Sequence, residues 1–307
     1  MINIEEVDLK ALKHPLLSAV RTHLPAELTS FCEPGKDRKE KKAPLPLLAV
    51  AIDHGQLAGF AFALYYRQLH LADLSLVYVS DQKPFGEVAE LLLSFLEARL
   101  YAEGCLVIEH HYAKEEGSPD LGLETELYRR GWGHKTLIHT RYYFDCYAFK
   151  PKWFTTHHPL PDGFSLKPWK TIDASEKLKI RLLQEQFTFH PFISPLEDES
   201  HIQEINSLAL LHGDEVIGWM VTHTHPDDPQ LIRYSSLYVK PEFLAKGVAA
   251  PLLQESILRQ QRSPLRWSFF QVTWSFTDQR WIRFIDKRLK GQTSRIVHYA
   301  RLSKGLR

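Results

Sequence analysis

The sequence predicts an α+β fold present in two tandem copies, each a mixed, mostly antiparallel sheet flanked by helices. Three observations lead there. The chain has 307 residues, a length that suits about two domains of ordinary size. A proline-bearing stretch divides it near the middle. The order hairpin, strand, helix, strand, helix, strand occurs once on each side of that stretch, with a repeat of about 160 residues.

The dividing segment, Lys150 to Gly163, holds Pro151, Pro159 and Pro161. Proline has no backbone donor and restrains the residue before it, so residues 151–162 are expected to form an extended linker. The expected domains are then 1–150 and 163–307.

Each copy opens with a hairpin. In the first, Leu48–Ile52 and Leu57–Leu64 flank the turn Asp53-His-Gly-Gln56; in the second, Leu208–Leu211 and Glu215–Thr222 flank His212-Gly-Asp214. Gly59 and Gly218, 159 positions apart (218 − 59), lie inside the second strand of each hairpin and mark a bulge or a close backbone approach. A further strand follows, Leu74–Val79 and Tyr234–Val239. Each leads through a short loop with a glycine, Gly86 or Gly247, into an amphipathic helix. The apolar sets Val88, Leu91, Leu92, Phe95, Leu96 and Val248, Leu252, Leu253, Ile257 recur at helical spacing. Strands at Cys105–Ile108 and Trp267–Trp274 come next. A short helix and a last strand close each copy: Leu123–Arg130 with Ile138–Phe144, and Trp281–Leu289 with Arg295–Leu302.

Composition narrows the class. Hydrophobic residues make up 44% and charged residues 24%, which excludes a disordered tail, a collagen-like fibre and a disulfide scaffold. Lys and Arg number 38 against 37 Asp and Glu, and so even a balance argues against a nucleic-acid partner. The Lys-rich run Gly35–Lys42 reads as a solvated loop. The three cysteines, Cys32, Cys105 and Cys146, form no CxxC pair and no zinc-ligand spacing, so no metal site is expected. Their sparseness suits a reducing, cytoplasmic setting. The first residues lack a basic region followed by an apolar run, and no run approaches the ~18 apolar residues of a membrane span.

Chemistry concentrates in Leu237-Tyr-Val-Lys-Pro-Glu-Phe-Leu-Ala-Lys-Gly-Val-Ala-Ala-Pro-Leu-Leu253. A strand ends near Val239 and a helix begins near Val248. Small residues stand where helix-terminal amides would be open, which makes an anion site suited to a pyrophosphate. Gly247 lets the chain approach phosphates without a Cβ.

This segment resembles motif A of the GNAT acyltransferase superfamily, Gln/Arg-x-x-Gly-x-Gly/Ala after a V-x-P strand end. Val239-Lys-Pro241 supplies V-x-P, and Leu244-Ala-Lys-Gly247-Val-Ala249 supplies the loop. Leu244 replaces the usual Gln or Arg, which removes a side chain but keeps the backbone cradle. The resemblance covers the second half in element order, about 145 residues, and the first half more weakly. It implies two tandem GNAT-like domains and binding of acetyl-CoA by Leu237, Tyr238, Val239, Leu244, Ala245, Lys246, Gly247, Val248 and Ala249. In the first half the corresponding loop, Lys83-Pro-Phe-Gly86-Glu-Val88, opposes CoA: Pro84 removes a donor, Glu87 adds a negative charge and Val88 a branched side chain. That half is expected to be structural or a wall of the substrate cleft.

The resemblance further implies direct attack of an amine on the acyl-CoA thioester, with no covalent nucleophile. Tyr128, in Leu127-Tyr-Arg-Arg-Gly-Trp132, resembles the family tyrosine that protonates the departing thiolate; a core aromatic is the alternative. The second half has Ile285 there. Candidates for the base are His223 and His225, Tyr234 and Ser236 on the central strand, or a chain of waters. The two histidines share a strand face at i, i+2, but no third metal ligand is evident. Glu197, Asp198 and Glu199, just after the aromatic Phe187–Phe192 segment, would attract a cationic amine.

The expected function is acetyl-CoA-dependent N-acetylation of an amine on a small cationic molecule. Tandem proteins that look like this include antibiotic self-resistance acetyltransferases of the zwittermicin and paenilamicin kind. The alternatives are a non-catalytic acyl-CoA-binding or interaction protein and an aminoacyl-tRNA-dependent transferase. A nucleotide site is disfavoured, since no G-x-x-x-x-G-K-S/T pattern occurs.

Overall fold

A computed structural model of the chain describes residues 2–7, 15–29, 43–119, 122–155 and 159–307. The Lys-rich run 35–42 and Cys32 lie outside the described residues. The chain forms two compact units, residues 1–138 with 299–307, and residues 139–298.

The first unit contains β1 (Asn3–Glu6), α1 (Pro15–His23), α2 (Ala26–Thr29), β2 (Leu45–Asp53), β3 (Gln56–Tyr66), β4 (Leu71–Val79), α3 (Phe85–Ala102), β5 (Val107–Glu115), α4 (Gly122–Arg129) and the start of β6 (Gly133–Asp145). Its strands run β1-β2-β3-β4-β5, antiparallel except for β4 with β5. The β2–β3 turn has His54 and Gly55 both at positive φ, 50° and 78°, the backbone twist that suits a tight hairpin. Helix α3 buries Val88, Ala89, Leu92, Leu93, Leu96 and Leu100 on the sheet. Leu91, expected in that stripe, is exposed. Gly86 is the second residue of α3 rather than a loop glycine.

The second unit contains β7 (Phe164–Pro168), α5 (Ala174–Glu185), β8 (Leu208–His212), β9 (Glu215–His225), β10 (Asp228–Val239), α6 (Pro241–Leu244), α7 (Ala249–Gln261), β11 (Trp267–Thr273), α8 (Gln279–Phe284) and the start of β12 (Arg295–Gly305). The strand order is β7-β8-β9-β10-β11, with β10 and β11 parallel and the other neighbours antiparallel. Helix α7 buries Leu252, Leu253 and Ile257, the expected stripe.

The units do not follow the expected division at 151–162. The closing strands pass from one unit to the other. Residues 139–145 of β6 pair antiparallel with β11, from His139–Thr273 to Asp145–Trp267, while residues 299–305 of β12 belong to the first unit beside β5. An exchange of two strands with the same apolar alternation leaves each local pattern unchanged, so sequence alone assigns each strand to its own half. Residues 151–155 are not extended either. Lys152–Thr155 is a 3₁₀ turn, and Trp153 and Phe154 pack against the core of the second unit. Burial of two large aromatic side chains outweighs the extended bias of the prolines.

The repeated glycines show what the repeat preserves. A Cβ on Gly59 would lie 2.6 Å from the carbonyl oxygen of Tyr78, and one on Gly218 2.6 Å from that of Tyr238. The register shifts beside each, between Ala51 and Ile52 and between Leu210 and Leu211. Bulge and close approach thus coincide in both copies. Among the described residues no helix is long and apolar enough to cross a membrane.

Gly218→Ala is therefore expected to destabilise the second unit by about 1–3 kcal/mol, the usual range for forced overpacking. Gly305→Ala, with nothing within 4 Å of the added carbon, serves as the control. Urea unfolding of the full chain checks this; equal midpoints for the two variants would contradict it.

Candidate functional site

The site begins with a break in strand pairing. β10 pairs with β11 from Leu231–Trp267 to Tyr234–Phe270 and no further. On its other side β10 stays paired with β9 to Val239, but the register shifts between Tyr234 and Ser236. Ser235 is the extra residue, a β-bulge that bends the strand. A cavity of about 770 Å³ fills the resulting gap, with Ser235, Ser236 and Leu237 on one wall and Gln271 and Thr273 on the other. That volume is typical of small-molecule pockets. Phe144, Phe149, Met220, Leu253, Ile257 and Phe270 give the cavity an apolar lining.

The bulge sorts the side chains of β10. Tyr234 and Val239 join the core under α7, whereas Tyr238 packs with Trp219 and Phe189 on the opposite face. Tyr234 and Ser236, expected together as reactive groups, are separated by this reversal. Both hydroxyls are committed to the protein. Tyr234 Oη donates to Gln260 Oε1 at 2.8 Å and accepts from Asn206 Nδ2 at 3.2 Å, and burial raises its pKa well above the ordinary phenol value. Ser236 Oγ donates to the carbonyl of Ile193 and accepts from Trp219 Nε1 at 2.8 Å. These are ties that hold the strand.

His223 is buried in the neighbouring strand. Its Nδ1 lies 2.7 Å from Ser235 Oγ and its Nε2 3.1 Å from the carbonyl oxygen of Glu197. Burial holds its pKa below the ordinary histidine value. Arg233 Nε donates to Ser235 Oγ at 2.9 Å, and its guanidinium reaches Asp198 at 3.4 Å. His225 instead packs edge-on against Phe269. Among the described residues no group of three or more His, Cys, Asp or Glu is placed to hold a metal.

Glu197 and Asp198 both line the cavity, while Glu199 pairs with Lys177 at 2.8 Å. Asp278 also lines it and is held at about 2 by its bonds to Arg280. Of these carboxylates, Asp198 pairs with Arg233 and Asp278 with Arg280. His190, Phe192 and Phe276 stack in parallel at the same cavity, centroids 4.5–5.2 Å apart.

The loop after β10 leads into α7 where the sequence places it, and its glycine serves a turn. Gly247 has φ +71°, and a Cβ added there would meet nothing within 4 Å, so the glycine serves a left-handed turn rather than a close contact. The amides of Lys246 and Gly247 close turns onto the carbonyls of Phe243 and Leu244. The amides of Val248, Ala249 and Ala250 at the start of α7 find no acceptor among the described residues, and Pro251 has no N–H to leave open. Leu244, Ala245, Lys246 and Gly247 are exposed.

The first unit differs at the strand gap. Its β4 also carries a bulge, at Ser75, and pairs with β5 from Leu71–Val107 to Asp73–Glu109. One step further, however, His110 Nδ1 donates to the carbonyl of Leu74 at 2.7 Å and ties the strands together. At the start of α3 the buried Glu126 carboxylate and the Arg129 guanidinium, paired at 2.9 Å, both lie beside Gly86. Tyr128 is an exposed residue of α4 in this unit. In the second unit the corresponding Ile285 is fully buried. Cys105 and Cys146 are buried, and burial pushes the Cys146 thiol up to about 12.

Sequence reasoning missed Ser235, Arg233 and the stack at the cavity. The alignment of Leu74-Ser-Leu with Tyr234-Ser-Ser held the one available signal, a serine at the bulge of both copies.

No protein-family model matches the chain, and no curated protein matches it significantly. Solved structures do. A tandem GNAT protein from the clavulanic acid biosynthesis pathway, solved without AcCoA, matches with a TM-score of 0.50 and 12% identity over 100% of this chain and 99% of its own. A GCN5-related N-acetyltransferase from Sphaerobacter thermophilus matches with a TM-score of 0.48 and 13% identity over 100% and 96%. The chain has a tandem GNAT-like fold.

The buried His223 gives a pH test. An unfolded histidine titrates near 6.5, while the folded one resists protonation. Below about pH 6.5 the unfolded state binds more protons, so stability falls as pH falls. His223→Gln is expected to flatten the dependence between pH 6.5 and 5.5 by up to about 1.4 kcal/mol per pH unit. His110 and His139, lowered in the same sense, keep part of it. Urea unfolding at several pH values checks this; an unchanged slope would mean that His223 titrates normally.

Proposed function

We propose that the chain is an acetyl-CoA-dependent N-acetyltransferase that acetylates an amine of a small cationic molecule. The observation that carries this reading is the parting of β10 from β11 beyond Tyr234 and Phe270, with a large cavity in the gap. Acetyl-CoA supplies an acetyl group already activated as a thioester. The residues present suit it. The open amides of Val248, Ala249 and Ala250 at a helix start would hold a diphosphate, and exposed Lys246 adds a cation beside them. The unpaired edge of Leu237–Val239 would hold the acyl-bearing arm and polarise its carbonyl.

The acceptor side is chosen by charge and shape. Glu197, Asp198 and Asp278 draw a cation into the cavity, and the stacked rings offer an apolar face to the body that carries the amine. A free amine on an antibiotic has this chemistry. Its acetylation removes a positive charge, which is the logic of a self-resistance enzyme. The protein's part in the reaction is to align amine and thioester and to remove a proton from the amine.

Calorimetry with acetyl-CoA tests the reading. The wild type is expected to bind, and Gly247→Glu, which places a carboxylate by the diphosphate and strains a left-handed position, to bind at least tenfold more weakly. Equal affinities would refute the loop as the site. In a thiol-release assay, Glu197→Gln with Asp198→Asn should raise KM for a cationic amine roughly two- to fivefold, the range for partly exposed charges. KM for acetyl-CoA should not change.

A further inference from the structure

We propose that Ser235 and His223 form a proton relay, in which Ser235 meets the acceptor amine and His223 receives its proton. The proposal rests on the acetyltransferase reading and adds to it the route of the proton. The bulge is its first support. Tyr234 faces Thr222 and Ser236 faces Val221 across the ladder, so the backbone of Ser235 has no register partner on β9, and the residue stands in the cavity wall, half-buried.

The hydrogen bonds give the relay a direction. A carbonyl oxygen only accepts, so His223 Nε2, facing the carbonyl of Glu197, carries the hydrogen. Nδ1 is then the acceptor, and Ser235 Oγ donates to it at 2.7 Å. The carbonyl of Arg233, the other available acceptor, is farther from Oγ at 3.1 Å. A hydroxyl has one hydrogen and two lone pairs. Arg233 Nε takes one lone pair at 2.9 Å. The second remains for an N–H in the cavity.

A cationic acceptor arrives as an ammonium. One N–H bond breaks and leaves its electron pair on nitrogen. That proton goes to Ser235 Oγ as the serine's own proton passes to His223 Nδ1, so Ser235 ends neutral. The nitrogen pair forms the C–N bond, the C–S bond breaks with its pair on sulfur, and the second proton shed by nitrogen goes to the thiolate. The products are the amide, the free thiol of CoA and one proton on His223. The titratable side chains around the imidazole are Arg233, Asp198 and His201, and Glu197 meets it through its backbone carbonyl. The carboxylate of Asp198, linked to Arg233, offsets the charge that His223 gains.

The test measures thiol release from acetyl-CoA with 1,4-diaminobutane, spermidine and glucosamine, alongside calorimetry of acetyl-CoA binding. Ser235→Ala and His223→Gln should each lower kcat by about a hundredfold or more, with the Kd of acetyl-CoA changed less than threefold. Ser235→Thr, which keeps the hydroxyl, should restore most of the rate. The defect should shrink as pH rises, because the variants depend on free amine from solution; a merely structural role would lower the rate equally at every pH. A Ser235→Ala enzyme as fast as wild type, or a defect constant with pH, overturns the relay and leaves the acetyltransferase reading standing. An acetyl group found on Ser235 by mass spectrometry overturns it in favour of an acyl-enzyme. No thiol release by wild type with acetyl-CoA bound overturns both.

Discussion

Everything in the second unit depends on a single event in its sheet, the point where β10 stops pairing with β11. Parallel strands normally leave no room between them, since each backbone group finds its partner across the ladder. Here the ladder ends at Tyr234 and Phe270. Tyr234, held by Gln260 of α7 and by Asn206, fixes the last paired position. Ser236, tied to Ile193 and Trp219, fixes the first position beyond it on the opposite face. Between these two anchors Ser235 must bulge. The hydroxyls that look reactive in the sequence are the pins, and the residue between them is the one at the cavity wall whose hydroxyl meets His223.

The two units show how one scaffold can be opened or closed by a few side chains. Both keep the hairpin glycine against a carbonyl oxygen and the serine bulge on the following strand. In the first unit a histidine bonds across the gap, and the Glu126–Arg129 ion pair lies beside the helix start. That histidine provides internally what a ligand would otherwise supply, a donor to a strand carbonyl. In the second unit the same positions are left to the cavity and to the open amides of α7.

How much of this was readable in advance follows from the range of the forces involved. Local pattern located both hairpins, the end of β10 at Val239 and the start of α7, because turn chemistry and helical periodicity are short-range. The loop at Gly247 was readable for the same reason, although its glycine answers to φ rather than to crowding. Pairing across the sheet was not. Exchange of the ends of β6 and β12 changes no residue's preference, so the boundary at residues 138–139 has no sequence mark. Nor does alternation reveal a bulge: from Tyr234 to Tyr238 strict period two puts Tyr234 and Ser236 on one face, and one inserted residue puts them on two.

The relay bears on a wider question, how a deeply buried histidine can serve as a base at all. Burial alone disfavours the charged imidazole, which would make His223 a poor proton acceptor. Its surroundings are arranged against that penalty on one side only. Nε2–H already has a carbonyl partner that strengthens when the ring is charged, and the Asp198 carboxylate stands beyond Arg233. The guanidinium of Arg233 acts the other way and keeps the ring neutral until a proton is delivered. A cationic acceptor changes this balance as it reacts, since the positive charge leaves the amine and appears on His223 within the same cavity. The net charge enclosed does not change during the transfer. The cost of burying an imidazolium is thereby set against the relief of unburying an ammonium, a compensation available to an amine substrate and absent for a neutral one.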